Sequence, residues 1–502
     1  MLKELFGSLE ANTALVFLCV LLAIWLYQST QVPKNFPPGP WPWPVIGNLG
    51  IFTGYPLQNQ KSLTELSERY GKVVGLKLGS LYTVLINGLE ATKEALVNNS
   101  QAFDGRPEMI FVFTQTNSLN GKRRGILWTD GHLWKESRRF LMRSLRDFGL
   151  GKRSLEERMQ EEADAMCDEL AKHTNKPYDL TTLSQEATSN IICSICFGSR
   201  FEYRSPEFQK LMNLIRANLS APGIVSPLNF IPLVRYLPRP RWFLQVMHNA
   251  NHFHGFIQQQ IELHRSTFDH NQLRDIIDLY LEKERKDLVE GEVFSRDNVI
   301  MMLTDLLIAG SETTSSSIRY FLLYMIHHPQ MQGRCQAEID RVIGSGRRPS
   351  LADRVDMPYL DATINEMQRL ANVTNLSIPH STTRDTKLFN YSIPKDTVVL
   401  VNLQSLHMDP DCWQNPEEFR PERWLGADGK VQKMESFMPF STGSRVCLGE
   451  SLAKSELLLF ITTLLQRFTF SPEDPQRLPP LEGIFGFATT APVTFRIVAK
   501  ER

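Results

Sequence analysis

Cysteine is scarce in this 502-residue chain: Cys19, Cys167, Cys193, Cys196, Cys335, Cys412 and Cys447 are odd in number and widely scattered. That argues against a disulfide framework and fits a reducing compartment. Net charge is lacking too, since 55 Lys+Arg balance 55 Asp+Glu. Nothing in the overall charge points to nucleic acid as a partner. There is no internal repeat and no low-complexity tract. No clear linker follows residue 50, so one large domain is expected, although length alone would suggest about three at roughly 150 residues each. No G-x-G-x-x-G follows a strand-like stretch and no phosphate-binding loop occurs. The chain therefore has no visible means of binding NADPH or a flavin itself.

Long apolar runs are also rare, with one exception at residues 14–27. Together with residues 11–13, this run is just long enough for a short spanning helix. A cleaved signal peptide is the alternative. Trp25, Leu26 and Tyr27 end the run without a small-x-small cleavage site, and Trp25 and Tyr27 suit a membrane interface. Residues 1–30 are read as an uncleaved membrane anchor and 31–50 as a spacer, with 51–502 as the catalytic body. The spacer carries Phe36-Pro37-Pro38-Gly39-Pro40-Trp41-Pro42-Trp43-Pro44. Proline fixes φ and removes donors, so a stiff extended segment is expected.

Helical patterns dominate the body. Residues 155–173 carry apolar positions at helical spacing, and 298–328 form a longer pattern closed by Pro329. The second would run about 45 Å and must cross the centre of its domain. Strand-like stretches are short: 73–78 with 83–86, then 397–403 and 493–498. The predicted class is mainly α with small β-sheets at the edges. Cys193 and Cys196 form a C-x-x-C without a second pair, and residues 190–196 read as buried helix rather than a zinc or redox site. Residues 220–243 hold five prolines, Phe230, Trp242, Phe243, Arg235, Arg239 and Arg241. This is either an ordinary loop or a lid that also dips into a membrane surface.

The strongest signal is Phe440-Ser441-Thr442-Gly443-Ser444-Arg445-Val446-Cys447-Leu448-Gly449. A Cys447 thiolate can ligate haem iron and push electron density toward bound oxygen. Gly443 and Gly449 permit a tight turn and close approach to a flat cofactor. Turned N–H groups can tune the sulfur, and Phe440 can shield it. Arg445 can pair with a haem propionate. A lone cysteine is usually a core residue; the spacing around Cys447 reverses that reading. Within the long helix, Ala309 and Gly310 are small enough to lie against a cofactor. Glu312 beside Thr313 puts a carboxylate next to a hydroxyl, as a proton relay needs.

The Cys447 loop resembles the haem-binding signature of the cytochrome P450 family without mismatch, and other landmarks follow in that family's order. Ala309-Gly310-Ser311-Glu312-Thr313-Thr314 resembles its oxygen-activation motif. Glu366-Met367-Gln368-Arg369 and Phe419-Arg420-Pro421-Glu422-Arg423-Trp424 resemble the pieces of its structural charge lock. Trp134 and Arg138 resemble its W-x-x-x-R, directed at a propionate. Arg106 and His380 match further propionate contacts of the animal microsomal family-2-like branch, and residues 125–151 resemble arthropod members of that branch. Two positions depart from the pattern: Asn375 stands where proline is common, and Ser444 where lysine is common.

The resemblance implies the cytochrome P450 fold behind an N-terminal transmembrane helix. It also implies haem b bound through the Cys447 thiolate and held by Arg445, Trp134, Arg138, Arg106, His380, Phe440 and Gly443. Glu312 and Thr313 would serve catalysis. The implied activity is insertion of one oxygen atom from dioxygen into a lipophilic molecule: a terpenoid or steroid hormone, a fatty acid or a xenobiotic. Electrons would come from NADPH through NADPH-cytochrome P450 reductase, with cytochrome b5 as a further partner. The basic stretch Lys135, Arg138, Arg139, Arg143, Arg146, Lys152 and Arg153 is expected to dock the reductase. Phe111–Phe113, Ala309, Thr313, Leu376 and Phe485–Phe487 are expected to line the pocket. The implied location is the endoplasmic reticulum membrane, body in the cytoplasm. Two alternatives stand beside this one: a haem-thiolate isomerase or dehydratase that needs no reductase, and a non-catalytic haem or lipid carrier.

Overall fold

The computed structural model describes residues 2–52, 60–108, 111–148, 153–219, 226–286, 291–485 and 489–502. Helix α1 (Leu2–Ser29) leads the chain. From Leu15 to Trp25 its large apolar side chains are exposed. Among the described residues no helix is long and apolar enough to cross a membrane. The proline-rich segment that follows is extended, as expected, but it does not stand free. It lies along strand β1 (Val73–Leu78), where Gly75 donates its N–H to the Pro38 carbonyl at 2.9 Å. Asn48 donates its N–H to the Lys77 carbonyl at 2.6 Å. The backbones are so close that a Cβ on Gly39 would fall 1.8 Å from the Gly75 carbonyl oxygen, so only glycine fits there.

Strand β1 pairs antiparallel with β2 (Leu81–Asn87), as its alternating valines and leucines lead one to expect. After several shorter helical segments come the long helices α2 (Gly131–Asp147), α3 (Arg153–Ala171) and α4 (Thr181–Phe197). Helix α4 is buried along nearly its whole length and stops at Gly198, whose φ of 74° closes it in the left-handed conformation. Cys193 and Cys196 lie wholly inside it, and burial pushes both thiols up. They are core residues, as read from the sequence.

Helices α5 (Pro206–Leu219) and α6 (Arg241–Ser266) flank the lid region. Of residues 220–243, the first six lie outside the described residues. The rest is no plain loop: Pro227–Phe230 is a helical turn and Pro232–Tyr236 a 3₁₀ turn. Proline suits both starts, where its missing N–H would have no partner anyway. Val112, Leu228 and Phe243 form a small core beneath these turns.

Helix α7 (Arg296–His327) is the long central helix, within two residues of expectation. Ser295 caps it by accepting the Asn298 N–H on its side chain. Helix α4 crosses its middle, and Gly310 makes room: a Cβ there would meet the Ile192 side chain at 2.5 Å. The small residue thus serves helix packing as well as the cavity described below.

After α7 come α8 (Pro358–Ala371), β3 (His380–Ser381) and β4 (Val398–Asn402). The main sheet runs β1-β2-β4-β3, with β2 and β4 parallel and the outer pairs antiparallel. Helix α9 (Glu450–Arg467) leads into β5 (Phe468–Pro472), which pairs with β6 (Ile497–Glu501). The strand expected at 493–498 is therefore displaced. Thr490–Pro492 belongs to a separate hairpin with Gly483–Phe485, and the chain crosses from one sheet to the other before Ile497.

Under α9 sits a closed charge cluster. Arg369 grips Glu366 through Nε and an Nη at 2.9 and 2.8 Å, and Arg423 Nε donates to the same carboxylate at 2.9 Å. Trp424 Nε1 donates to it at 2.9 Å and the Arg420 N–H at 3.0 Å. Glu366 and Arg369 are wholly buried.

Candidate active site

Cys447 sits between a 3₁₀ turn (Gly443–Arg445) and the start of α9. Its own N–H donates to the Phe440 carbonyl at 3.0 Å, which closes the loop. Gly443 has φ 77°, and a Cβ on it would fall 1.9 Å from the Leu96 carbonyl oxygen. This glycine is needed for the turn and for the neighbouring backbone. Burial pushes the Cys447 thiol up, opposed by the Gly449 N–H that faces the sulfur and by the Arg138 charge. The sulfur is deep in the molecule, yet its surface opens onto a cavity of about 260 Å³.

Ala309, Thr313 and Leu306 of α7 form one wall of that cavity; Leu448, Leu452 and Ala453 flank the cysteine. Ile126, Ile192, Ile195, Val373 and Ile378 supply further apolar surface. The expected pocket residues divide. Ala309 and Thr313 line the cavity. Leu376 does not; it packs with Leu78, Leu81 and Phe230 in the core of the main sheet. Phe111 turns to the lid instead, where it stacks on Phe243 at 5.7 Å. The Phe113 side chain and residues 486–487, with the Phe485 side chain, lie outside the described residues.

Three guanidiniums and an imidazole meet at one end of the cavity. Arg445 stacks on the Trp134 ring at 3.7 Å and donates to the Asp104 and Thr129 carbonyls, both at 2.8 Å. Arg106 donates to the Leu127 and Pro379 carbonyls at 2.8 and 2.9 Å, and Arg138 to the Val446 carbonyl at 2.6 Å. His380 Nδ1 bonds the Phe103 carbonyl at 2.9 Å. All five side chains, Trp134 included, line the cavity. Among the described residues no carboxylate comes within ion-pair distance of these arginines. Burial, with Arg106 beside it, pushes Arg445 down to about 8, and burial brings Arg106 to about 10. Burial, then the charges of Arg106 and Arg445, holds His380 well below the usual imidazole range. Asp104 and Asp130 offset part of the push on Arg106 and Arg445 without an ion pair; guanidinium gives up its proton so reluctantly that the cluster is read as cationic and short of a direct anionic partner. The cradle calls for an anionic group on a large apolar ligand. Haem, with a flat apolar ring and two propionates, matches both demands, and Cys447 would be the residue to offer it a sulfur ligand.

Thr313 donates its hydroxyl to the Ala309 carbonyl at 2.8 Å and faces the cavity. Glu312 faces the other way. Its carboxylate accepts from Gln185 of α4 at 2.5 Å and from Ser316 at 3.1 Å, and Gln185 in turn accepts from Arg216 Nε of α5 at 3.0 Å. Sequence reading missed Gln185, Asp305 and Glu456. Asp305 Oδ2 accepts the N–H groups of Ile126 and Leu127 at 2.6 and 3.1 Å, and burial pushes its carboxyl up to about 7. Glu456 lines the cavity from α9. The signal that could have found the two acids is a single carboxylate set in a helical apolar run.

Of the basic stretch, Lys135, Arg139, Arg143 and Arg146 are exposed on α2, whereas Arg138 belongs to the cavity. Lys152 and the Arg153 side chain lie outside the described residues.

The cytochrome P450 family matches residues 37–495. The chain belongs to the cytochrome P450 family. Cytochrome P450 2J2 of Homo sapiens is 41% identical over 471 residues, 93% of this chain and 91% of that protein. Cytochrome P450 2J1 of Oryctolagus cuniculus is 40% identical over 502 residues, 99% of this chain and 97% of the other. Cytochrome P450 2B4 of the same species is 40% identical over 476 residues, 94% and 96% of the two chains. This P450 is a haem monooxygenase, with haem bound through a cysteine thiolate.

Proposed function

We propose that this P450 oxygenates a lipophilic small molecule, with Cys447 as the axial ligand and Arg106, Arg138, Arg445, Trp134 and His380 as the propionate cradle. Bound haem supplies the insertion of one atom of dioxygen into a C–H or C=C bond, the other leaving as water at the expense of two electrons. The chain's own residues do the rest. The aliphatic walls hold the substrate and exclude water. The Gly449 N–H and Arg138 temper the thiolate charge. Thr313 offers a hydroxyl proton at the cavity wall. Glu312 replaces that proton after release from Gln185, which holds it away from the cavity in the resting arrangement.

The observation that carries this reading is the meeting, in one apolar site, of a cavity-facing thiol and three arginines that form no ion pair among the described residues. The test is Cys447→Ser. The variant should lose the thiolate-type Soret band of the reduced carbon-monoxide complex. With reductase present, it should also lose NADPH-dependent gain of one oxygen by substrate, read by mass spectrometry. A surviving band would remove the ligand assignment.

NADPH-cytochrome P450 reductase and cytochrome b5 are the proposed electron donors. The exposed arginines and Lys135 of α2 support a docking face for an acidic partner. The same reading puts the protein on the endoplasmic reticulum membrane, with residues 1–30 as anchor, 31–50 as spacer and 51–502 as a cytoplasmic body. Support comes from the exposed apolar side chains of α1 and from exposed Leu233, Tyr236 and Leu237 beside Arg239 and Arg241. Chain lacking residues 1–30 should release from microsomes in high salt, whereas the full chain should resist alkaline carbonate. Equal release would discard the anchor.

A further inference from the structure

We propose that Ser350 is a phosphorylation site for an arginine-directed serine/threonine kinase, and that the phosphoryl group loosens the surrounding segment from α3. The chain has three Arg-Arg pairs: Arg123-Arg124, Arg138-Arg139 and Arg347-Arg348. Three residues after the first arginine of each stand Ile126, Leu141 and Ser350. Only the last pair leads to a hydroxyl at that spacing, in Arg347-Arg348-Pro349-Ser350-Leu351. Two guanidiniums just before a serine, with an apolar residue just after it, suit a kinase whose peptide groove is lined with carboxylates.

The motif lies at the surface. The Arg347 and Arg348 side chains are 46% and 62% exposed. Ser350 is half-buried, and its backbone is extended, with φ −127° and ψ 154°. Its Oγ accepts the Ala352 N–H at 3.3 Å and caps a 3₁₀ turn, Leu351–Asp356. That role asks for a capping residue at 350 and for nothing at 347 or 348. Gly344 and Gly346 precede the motif, and a Cβ on Gly346 would meet nothing within 4 Å. The chain therefore has room to lift there.

The segment is strapped to one face of α3. Arg348 pairs with Asp164 at 2.7 Å, Gln160 donates to the Pro349 carbonyl at 2.6 Å, and Glu156 accepts the Leu351 N–H at 2.9 Å. Those three α3 residues stand four apart, one helical turn each. Asp353 accepts the Ser350 N–H at 2.8 Å and holds Arg347 by two bonds at 2.8 and 2.7 Å. A phosphoryl group on Ser350 adds a charge of about −1.5 to −2. It would repel Asp353 and Glu156, and it would draw Arg347 and Arg348 from their present partners. Both α3 and the 3₁₀ turn pack on α9, which begins at the cysteine loop.

In the transfer, Ser350 Oγ bonds to the γ-phosphorus of ATP as the bond to the bridging oxygen breaks. ADP leaves, and the hydroxyl proton passes to the kinase's carboxylate base. Nothing is oxidised or reduced. The step is independent of the oxygenation chemistry.

The test incubates the full-length holoenzyme with ATP, Mg²⁺ and the catalytic subunit of cyclic-AMP-dependent kinase, then maps phosphate by mass spectrometry. One phosphoryl group is expected on the peptide that holds Ser350, and Ser350→Ala should lose it. Arg347→Gln and Arg348→Gln should each slow incorporation about tenfold or more, the loss of one charge-assisted contact. Phosphorylated wild type should unfold at a lower temperature than untreated protein, whereas treated and untreated Ser350→Ala should coincide. A synthetic peptide of residues 343–355 is the control. Modification of the peptide but not of the folded protein overturns the proposal. So does phosphate found only on another residue, or a rate indifferent to both arginines. An unchanged unfolding midpoint overturns the loosening of the segment. Mapping on wild type decides the site even if Ser350→Ala fails to fold.

Discussion

Arg369 and Arg445 are both buried, and their donors are used in opposite ways. Arg369 spends two on the Glu366 carboxylate and others on the His407 and Pro416 carbonyls, both at 2.7 Å. Burial alone would push Glu366 up, but the Arg369 hydrogen bonds and charge more than reverse this and hold it below its ordinary value. Arg445 donates to carbonyls and stacks on an indole face; Arg106 repels it, and Asp104 and Asp130 attract it without an ion pair. The first cluster is closed and belongs to the fold. The second is open to the cavity and has no direct anionic partner among the described residues. Buried charge can therefore serve either purpose, and what distinguishes the two is whether a carboxylate of the chain meets it directly.

Breaking the closed cluster should have the largest effect. Glu366→Ala strands two buried arginines, which costs about 3–5 kcal/mol. Denaturant unfolding should show that loss, and little holoenzyme should accumulate. A change under about 1 kcal/mol would mean that the pair is not structural. Opening the cradle should be gentler and should depend on haem. Arg138→Gln removes one charge-assisted contact, worth about 1.5–3 kcal/mol to the bound anion. Haem transfer to an apo-globin acceptor should then quicken by about one to two orders of magnitude. The unfolding midpoint of the haem-free chain should hardly move. Equal losses in both measurements would erase the distinction between the clusters.

Much of this contrast was legible in the residues. Glu366 and Arg369 are neighbours on one helix face by spacing alone, and the glycines around Cys447 marked its loop as a tight turn. Glu312 shows where such reading stops. Its place beside Thr313 suggests a paired relay, but adjacent helix residues point about 100° apart. One faces the cavity and the other meets Gln185, 127 positions earlier in the chain. No local pattern reports that pairing. Of the two readings of residues 220–243, the plain loop fails for a related reason: prolines mark loops on average, yet Pro227 and Pro232 begin helical turns. The resemblance puts Phe111 in the pocket, but its stacking partner Phe243 lies far along the chain.

Asp305 offers the subtlest probe, because it is an acid with no cation, the converse of the cradle. It straps the loop at 125–127 to α7: Asn298 Oδ1 accepts the Gly125 N–H at 2.9 Å, and Asp305 takes the next two. Burial outweighs those two hydrogen bonds and lifts the carboxyl from 3.8 to about 7. Between those values the folded chain holds a proton that the unfolded chain has released. Stability from this group therefore falls as pH rises, and levels off above about 7. Asp305→Asn keeps an oxygen for the loop and cannot titrate. Between about pH 6 and pH 7 wild type should lose about 1 kcal/mol more than the variant, measured by denaturant unfolding at each pH. Every other titrating group is common to both proteins, so the difference isolates Asp305. Parallel pH profiles would mean that Asp305 is already charged in the folded chain, and that two backbone N–H groups can do for an acid what no carbonyl does for Arg445.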